Sequence, residues 1–497
     1  MTITSLAFAV FCALAILVYW RLPQRFRTGW LFAVSTAFIV TWSWELAGIF
    51  LVVATVNFTL GKWLAIAERR QRILLWIGIG FNVLVLLALK YSGFYISPLA
   101  DLLARLGFRA GTGGLALLVP IGLSFIVVQM ISYLVDISHR LLVPEARWLD
   151  FALYVVYFPK VLSGPIERAR LLLPMFRQPK PLDAQTSQRY FWLIVMGLFR
   201  KLVIADTLSA MIPGTLFQSP ANYAAQDLAV YLLAYAFVIY NDFAGYTSIA
   251  RGVSGFFGIE LTSNFNLPYF SRNIAEFWER WHISLSNWLR DYIFFPLSRA
   301  LRKRIPNPDH VVNLAIPPVV TMLVSGAWHG LAPNFLVWGL LHGVYLMVGR
   351  ISVQWSPRKL PGEFPKWRQV LSALGLFALV TLTWIPFRMD LATAWQYLSR
   401  MFTPSAWAKP DLWLLQRYLA GNATVNNWSV FHLPDIRVFI LVIGVLLFDW
   451  LQARRKDEAF LIHWPAWASA LFLMVLGLAI FLFSLAETGA PFVYQGF

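Results

Sequence analysis

Three stretches of this chain, Ile73–Leu89, Val370–Phe387 and Trp467–Ala486, run for 17 to 20 residues without one Asp, Glu, Lys or Arg. A helix of about 20 residues spans a hydrocarbon core of roughly 30 Å, so each run is long enough to cross a bilayer. The rest of the 497-residue chain keeps to the same pattern, with 59% hydrophobic and 13% charged residues. No soluble domain of this size has that composition. The sequence therefore predicts an all-α polytopic membrane protein.

A net charge of +17 raises nucleic acid as a partner. Position argues against it, because many of the cations sit in short turns between apolar runs, as the positive-inside rule requires. The single cysteine, Cys12, lies within the first apolar run, which leaves no intrachain disulfide and no thiol-rich metal site. Bulky Phe11 before it speaks against a lipoprotein signal. Met1–Trp20 has no basic leader, and Arg21, Arg25 and Arg27 follow it; it is expected to stay as an anchor with its N-terminus outside.

Threading the basic turns gives about eleven crossings plus re-entrant pieces, with both termini extracytoplasmic. Glu68–Arg72, Arg299–Arg304 and Arg454–Lys456 fall inside. Pro98–Leu106 is expected to lie on the surface, and Leu115–Val135 to cross. Phe158–Arg168 places Pro, Gly and charge in an apolar region, which suits an unwound or re-entrant segment shielded by protein. With no internal repeat or linker, residues 1–497 read as one integral membrane domain.

Against this background the stretch Asn264–His342 stands out. Between Glu276 and Asp291 it carries Glu276, Glu279, Arg280, His282, Ser284, Ser286, Asn287, Arg290 and Asp291 among Phe277, Trp278, Trp281 and Trp288. Charge at the centre of a membrane helix costs about 2.5–3.5 kcal/mol per group on insertion scales, so such residues face a wet cavity or one another. His329 stands in Gly326-Ala-Trp-His-Gly330, where small neighbours allow close backbone approach. An imidazole of ordinary pKa about 6.5 can take a proton from a hydroxyl and return it to a leaving group; a packing histidine would look the same in sequence. On a continuous helix, Glu279, His282 and Ser286 would share one face, an arrangement open to a triad or to a structural network. A metal held by His282, His329 and His342 would lack any closely spaced ligand motif such as H-E-x-x-H, and none is expected. The basic turn Arg299–Arg304 suits the phosphates of a coenzyme, although positive-inside topology alone accounts for it.

The run Phe277–Tyr292, with Trp328-His-Gly330 downstream, resembles the membrane-bound O-acyltransferase (MBOAT) family. Its nearest likeness is to the bacterial branch that serves alginate and peptidoglycan O-acetylation and teichoic acid D-alanylation. Pro120–Phe125, Ser163-Gly-Pro165, Tyr240–Tyr246, Thr383-Trp384 with Phe387-Arg388, and Phe492-Val-Tyr494 occur in the family's order, and the core motifs span residues 120–390. Three positions depart from the alginate-type pattern: Ala244 for Ser, Ser248 for Asp, and Gln495 for an aromatic. The resemblance implies helices around a central funnel, with His329 as the catalytic histidine and His282 as the second functional one. Trp328, Asn287, Ser286, Trp281, Arg290 and Asp291 become candidate substrate-binding residues.

It further implies a relay in the bacterial cytoplasmic (inner) membrane. Acetyl-coenzyme A or another acyl thioester serves as donor substrate, with no bound cofactor. The acceptor is an extracytoplasmic polysaccharide, reached through a periplasmic acetyltransferase of the SGNH-hydrolase type. D-alanyl transfer to teichoic acid, or a polymer or lipid-linked sugar transporter without chemistry, are the competing readings. Tyr494 is the only side-chain hydroxyl after Thr488, and either relays the acyl group or anchors the helix end. Its phenol, of pKa about 10, needs a base to act as a nucleophile.

Overall fold

A computed structural model of the chain describes residues 1–91, 122–355, 365–407 and 434–484. Within these residues the regular structure is helical, and the one β interaction is an isolated bridge between Phe265 and Trp281. The backbone packs as two compact units, Met1–Ile194 with Tyr246–Ser263, and Val195–Gly245 with Asn264–Phe497.

The first unit opens with α1 (Leu6–Arg21), α2 (Gln24–Val40), α3 (Trp44–Ile66) and α4 (Gln71–Lys90). Ser43 caps α3 by accepting from the Leu46 N–H, with Glu45 in the first turn, which fixes the start of a helix whose composition alone does not mark one. Between α3 and α4 the buried side chains of Asn57 and Asn82 exchange reciprocal amide hydrogen bonds of 3.1 and 2.7 Å, which satisfies both amides away from water. Then come α5 (Leu123–Ser138), α6 (Trp148–Val156), α7 (Ala169–Arg177) and α8 (Ala184–Leu198).

Between α6 and α7 the chain leaves regular helix, yet stays buried from Tyr157 to Arg168. Its polar groups are met by side chains from far along the sequence. Ser163 N–H donates to the Tyr246 hydroxyl (3.2 Å), Tyr157 and Ser254 share a hydroxyl contact of 2.8 Å, and the Glu167 carboxylate accepts from the Thr262 N–H (2.6 Å) and hydroxyl (3.1 Å). Lys160 Nζ donates to Gln129 Oε1 at 2.7 Å. Gly122, at φ +85°, passes so close to this segment that a Cβ would sit 2.1 Å from the Val161 carbonyl oxygen; only glycine fits. The protein-shielded unwound segment anticipated at Phe158–Arg168 is thus present.

In the second unit a π-helical turn, Phe199–Ala205, leads into α9 (Asp206–Met211), and α10 (Ala225–Gly255) supplies residues 225–245. Two buried ionic groups knit these elements. Lys201 pairs with Asp242 (2.7 Å) and Asp206 (2.8 Å), while Arg200 donates to Asn241 (2.9 Å) and Asp449 (2.5 Å), whose other oxygen accepts from Tyr240 (2.9 Å). After Asn264 follow α11 (Ile274–Arg280), α12 (Ile283–Leu289), a second π turn (Arg290–Phe294), α13 (Phe295–Arg304), α14 (Val311–His329), α15 (Pro333–Trp355), α16 (Lys366–Arg388), α17 (Leu391–Phe402), α18 (Pro434–Arg455) and α19 (Ala466–Ser484).

Among the described residues, eight helices are long and apolar enough to cross a membrane: α3, α4, α10, α14, α15, α16, α18 and α19. Two apolar helices, α1 and α5, are shorter. The expected surface piece Pro98–Leu106 and the start of the expected crossing Leu115–Val135 lie outside the described residues, as does Tyr494.

Candidate functional site

The polar stretch folds around a deliberate break. A continuous helix from Glu279 to Ser286 does not form: α11 ends at Arg280, Trp281 is extended, and His282 takes a left-handed backbone (φ +43°, ψ +52°) before α12 starts. A strand-like pass through Asn264–Asn266 holds this geometry. Asn266 N–H donates to the Arg280 carbonyl (3.0 Å), and Ile283 N–H to the Asn264 carbonyl (3.0 Å). Asn264 Oδ1 accepts from both the N–H (3.2 Å) and hydroxyl (2.6 Å) of Ser284, capping α12 from outside its own sequence. A left-handed residue without glycine is costly and persists only where its surroundings over-determine it.

The break sends neighbouring side chains different ways. His282 turns into the protein, 1% exposed, with its ring 4.8 Å from that of Phe243 and 6.1 Å from that of Trp328. Glu279 stays exposed, and Ser286 donates its hydroxyl to the Trp281 carbonyl (3.0 Å). The sequence-based grouping of Glu279, His282 and Ser286 on one helical face is therefore corrected. Trp281 enters the aromatic core, stacked on Phe277 at 5.5 Å and on Tyr269 at 6.0 Å.

His329 closes α14, where Pro317 and Pro318 are tolerated inside the helix and the Gly330 N–H returns to the Gly326 carbonyl (3.1 Å). It is 5% exposed and walled by rings: Trp328 at 4.9 Å, Trp338 at 5.2 Å and Phe387 at 5.0 Å, all edge-on. Trp328 thus lies between His282 and His329 and brings both candidate histidines to one aromatic shell. His342 is fully buried behind it, bonded to Thr383 Oγ at 2.9 Å and 4.9 Å from the Trp338 ring. The shell is held close because α14 and α15 pack through glycines. A Cβ on Gly326 would meet the Phe335 carbonyl oxygen at 2.3 Å, and one on Gly339 the Met322 carbonyl oxygen at 2.4 Å.

A cavity of about 830 Å³ has walls that include Trp278, Glu279, Ser286, Asn287, Arg290, Asp309 and Arg350. Thr321 and Met322 line it from α14, roughly 10 Å along the helix from His329 at about 1.5 Å per residue. Trp278 belongs to the cavity wall and also touches Trp338 at 5.9 Å. The two indoles thus link the cavity wall to His329 through ring contacts. Arg290 pairs with Asp291 at 3.2 Å, and Asp291 lines a smaller cavity of about 260 Å³ with Arg299 and Arg302. Nearby, burial alone would raise the Glu276 carboxyl, but the N–H and guanidinium of Arg272 together with Arg280 outweigh it and hold the group below its usual range.

Of the residues singled out in the sequence, Ser286, Asn287 and Arg290 share the large cavity; His282, Trp328 and His329 share the aromatic shell; Asp291 and Trp281 belong to neither. Trp338 and Arg350 were not anticipated at the site, and Phe387 was marked only as part of a family motif. The available signal for Trp338 was its neighbour Gly339, four residues before Gly343, a small-residue spacing that marks a close helix pair. Among the described residues, no group of three or more His, Cys, Asp or Glu side chains is placed to hold a metal ion.

Residues 138–375 match the membrane-bound O-acyltransferase (MBOAT) family. The chain is 32% identical to a probable alginate O-acetylase AlgI of Azotobacter vinelandii over 88% of its own length and 84% of that protein's. It is 28% identical to a peptidoglycan O-acetyltransferase of Helicobacter pylori, covering 94% and 91% of the two chains. A teichoic acid D-alanyltransferase of Bacillus subtilis is 30% identical over 52% of this chain and 66% of its own.

Proposed function

Because the chain belongs to the membrane-bound O-acyltransferase family and is a multi-pass membrane acyltransferase, we propose that it moves an acetyl group from a cytoplasmic acyl thioester towards an extracytoplasmic polysaccharide, with His329 as general base. The observation that carries this reading is a buried imidazole linked through Trp338 and Trp278 to a largely apolar cavity whose walls carry Ser286, Asn287, Arg290 and Arg350 beside Glu279 and Asp309. A thioester is already activated, so the protein supplies a base, orientation and donors for the oxyanion. The acceptor oxygen attacks the acyl carbon while His329 takes its proton; the C–S bond then breaks and the proton passes to the departing thiolate. His282, on the far side of Trp328, orients the acceptor.

In this reading the cavity takes the donor, acetyl-coenzyme A or a carrier-bound thioester, as substrate rather than resident cofactor. Asn287 and Ser286 meet its polar arm, and Arg290 with Arg350 its anionic end. Acetyl is favoured over D-alanyl because the acetylating relatives align along most of the chain and the D-alanylating one along about half. The setting is the bacterial cytoplasmic membrane, the final acceptor an envelope polysaccharide, and the partner an extracytoplasmic transferase of the SGNH-hydrolase type. Tyr494 is proposed as the transient acyl carrier between the two. Tyr494→Phe removes only the hydroxyl, so normal polymer acylation in that variant would exclude the carrier.

The test of the base is His329→Ala, which removes one side chain from a helix end. Loss of a general base lowers rate by about 10²–10⁴, so ester-linked acetate on the envelope polysaccharide should fall to the level of a strain lacking the protein, with membrane insertion intact. Acetylation near the wild-type level overturns the assignment. Base-released D-alanine in place of acetate would transfer the reading to the teichoic acid reaction.

A further inference from the structure

A buried N–H without an acceptor is unfavourable, because the donor gives up water and gains nothing in return. Among the described residues three indole nitrogens are in that position, those of Trp278, Trp338 and Trp384. Of the three, Trp338 has its ring against His329, 5.2 Å between centroids and edge-on at 86°. It is 1% exposed. The ring is braced on several sides, by Phe387 (5.2 Å), His342 (4.9 Å) and Trp278 (5.9 Å), and lies nearly parallel to Trp384 at 6.4 Å.

One of those braces is itself locked. The Thr383 hydroxyl donates to the Val380 carbonyl at 2.6 Å, which leaves its oxygen to accept from His342 Nε2–H at 2.9 Å. His342 is thereby fixed in ring orientation and tautomer. Trp338 is held rigidly with its one polar atom unspent. The Gly330 N–H, next to His329, already serves the Gly326 carbonyl.

We propose that Trp338 is a catalytic residue of the acyl transfer: its Nε1–H donates to the carbonyl oxygen of the acyl thioester beside His329 and stabilises the oxyanion of the tetrahedral intermediate. The proposal rests on His329 acting as base and supplies the electrophilic half of the site. As the acceptor oxygen bonds to the acyl carbon, His329 takes the hydroxyl proton and the carbonyl electron pair moves onto the oxygen facing Trp338. When that pair returns, the C–S bond breaks and the thiolate receives the proton from His329. The indole keeps its own proton throughout. An indole N–H suits this role because it is a donor only, with no lone pair to bind the transferred proton. In a water-excluded aromatic shell a fixed donor acts at its strongest. The Trp338 ring is in direct edge contact with His329, which puts the indole beside a carbonyl held at that imidazole.

The experiment uses the full-length protein in membranes, with acetyl-coenzyme A as the donor probe and the host polysaccharide as acceptor. Trp338 is replaced by benzothienylalanine, which puts sulfur in place of the N–H and keeps the bicyclic ring, and separately by Phe. With the benzothienyl residue, kcat should fall about 10²–10³-fold, the loss typical of one oxyanion donor. KM for the donor, the pH profile and the thermal unfolding temperature should stay at their wild-type values. A kcat within threefold of wild type overturns the proposal, and does so equally if Trp338→Phe is inactive, because the ring alone then suffices. A raised KM at unchanged kcat, or a displaced pH profile, also overturns it, since either shows Trp338 orienting the donor or His329 instead of bonding to the oxyanion. Retained turnover in His329→Ala is a separate result: it removes the parent reading whatever the Trp338 variants do.

Discussion

Gly339→Ala adds one methyl group at a point where α14 and α15 approach closely. That methyl carbon would lie 2.4 Å from the Met322 carbonyl oxygen. Carbon and oxygen do not settle below about 3.0 Å, and an unstrained contact begins near 3.4 Å, so the backbones must separate by roughly 0.6–1 Å. No flexible side chain can give way, because the obstructing atom belongs to a helix. Overpacking of this kind costs about 1–3 kcal/mol, which a protein of this size can survive. The larger effect is on geometry. Trp338 precedes Gly339 directly, and His329 ends the opposing helix, so the separation feeds into the 5.2 Å contact between their rings. A displacement of about 1 Å in a reacting site lowers rate by about 10²-fold. Ester-linked acetate per molecule of membrane protein should therefore fall about a hundredfold, while the unfolding temperature in detergent drops by only a few degrees. Gly444→Ala and Gly477→Ala are the controls: a Cβ there meets no atom within 4 Å, and neither variant should change rate or yield. Wild-type acetylation by Gly339→Ala would refute the reasoning, because the spacing of α14 and α15 would then not set the geometry around His329.

Lys201→Met strands Asp206 and Asp242, both buried, beside a neutral side chain; breaking such a pair costs about 3–5 kcal/mol, so the yield of folded protein should collapse and recover in part when Asp242→Asn is added. Glu276 has a folded pKa below its unfolded value, so the stability it contributes is fully present above its ordinary value of 4.5 and is lost as pH falls through the lower folded value. Glu276→Gln should then flatten the acid limb of the unfolding temperature plotted against pH and leave the slope near neutrality unchanged; identical acid limbs would contradict this. The proposed topology predicts that, in a Cys12→Ser background, an impermeant thiol reagent added outside labels a cysteine at Gly496 and spares one at Gln71, and the reverse pattern would invert the protein in the membrane.

Apolar runs read well from the sequence because spanning is a local property of length and hydropathy: Ile73–Leu89 became α4, Val370–Phe387 lies inside α16, and Trp467–Ala486 corresponds to α19. Phe158–Arg168 was legible for the same reason in reverse, since Pro, Gly and charge cannot sit in a bare membrane helix. The break at His282 was not legible. Nothing in Trp281-His282-Ile283 favours a left-handed residue; the geometry is imposed by Asn264, some twenty residues earlier, so a helical wheel drawn through Glu279 and Ser286 assumed a continuity that tertiary contacts remove. Trp338 and Arg350 escaped for a related reason. Each looks ordinary in its own segment, as part of an apolar run or of a basic turn, and acquires a place at the site only when helices distant in sequence meet.

The buried irregular segment between α6 and α7 has a consequence for how the chain is made. Two of its hydrogen-bond partners lie late in the sequence: Tyr246 follows Ser163 by 83 residues, and Thr262 follows Glu167 by 95. At a synthesis rate of about 5–20 residues per second, the Ser163 N–H and the Glu167 carboxylate wait roughly 5–20 s between leaving the ribosome and meeting the groups that satisfy them. Through that interval the segment is too polar to rest in lipid and too apolar to remain in water. Its hydrogen bonding is therefore completed only after the 95 residues that follow Glu167, through Thr262, have been translated.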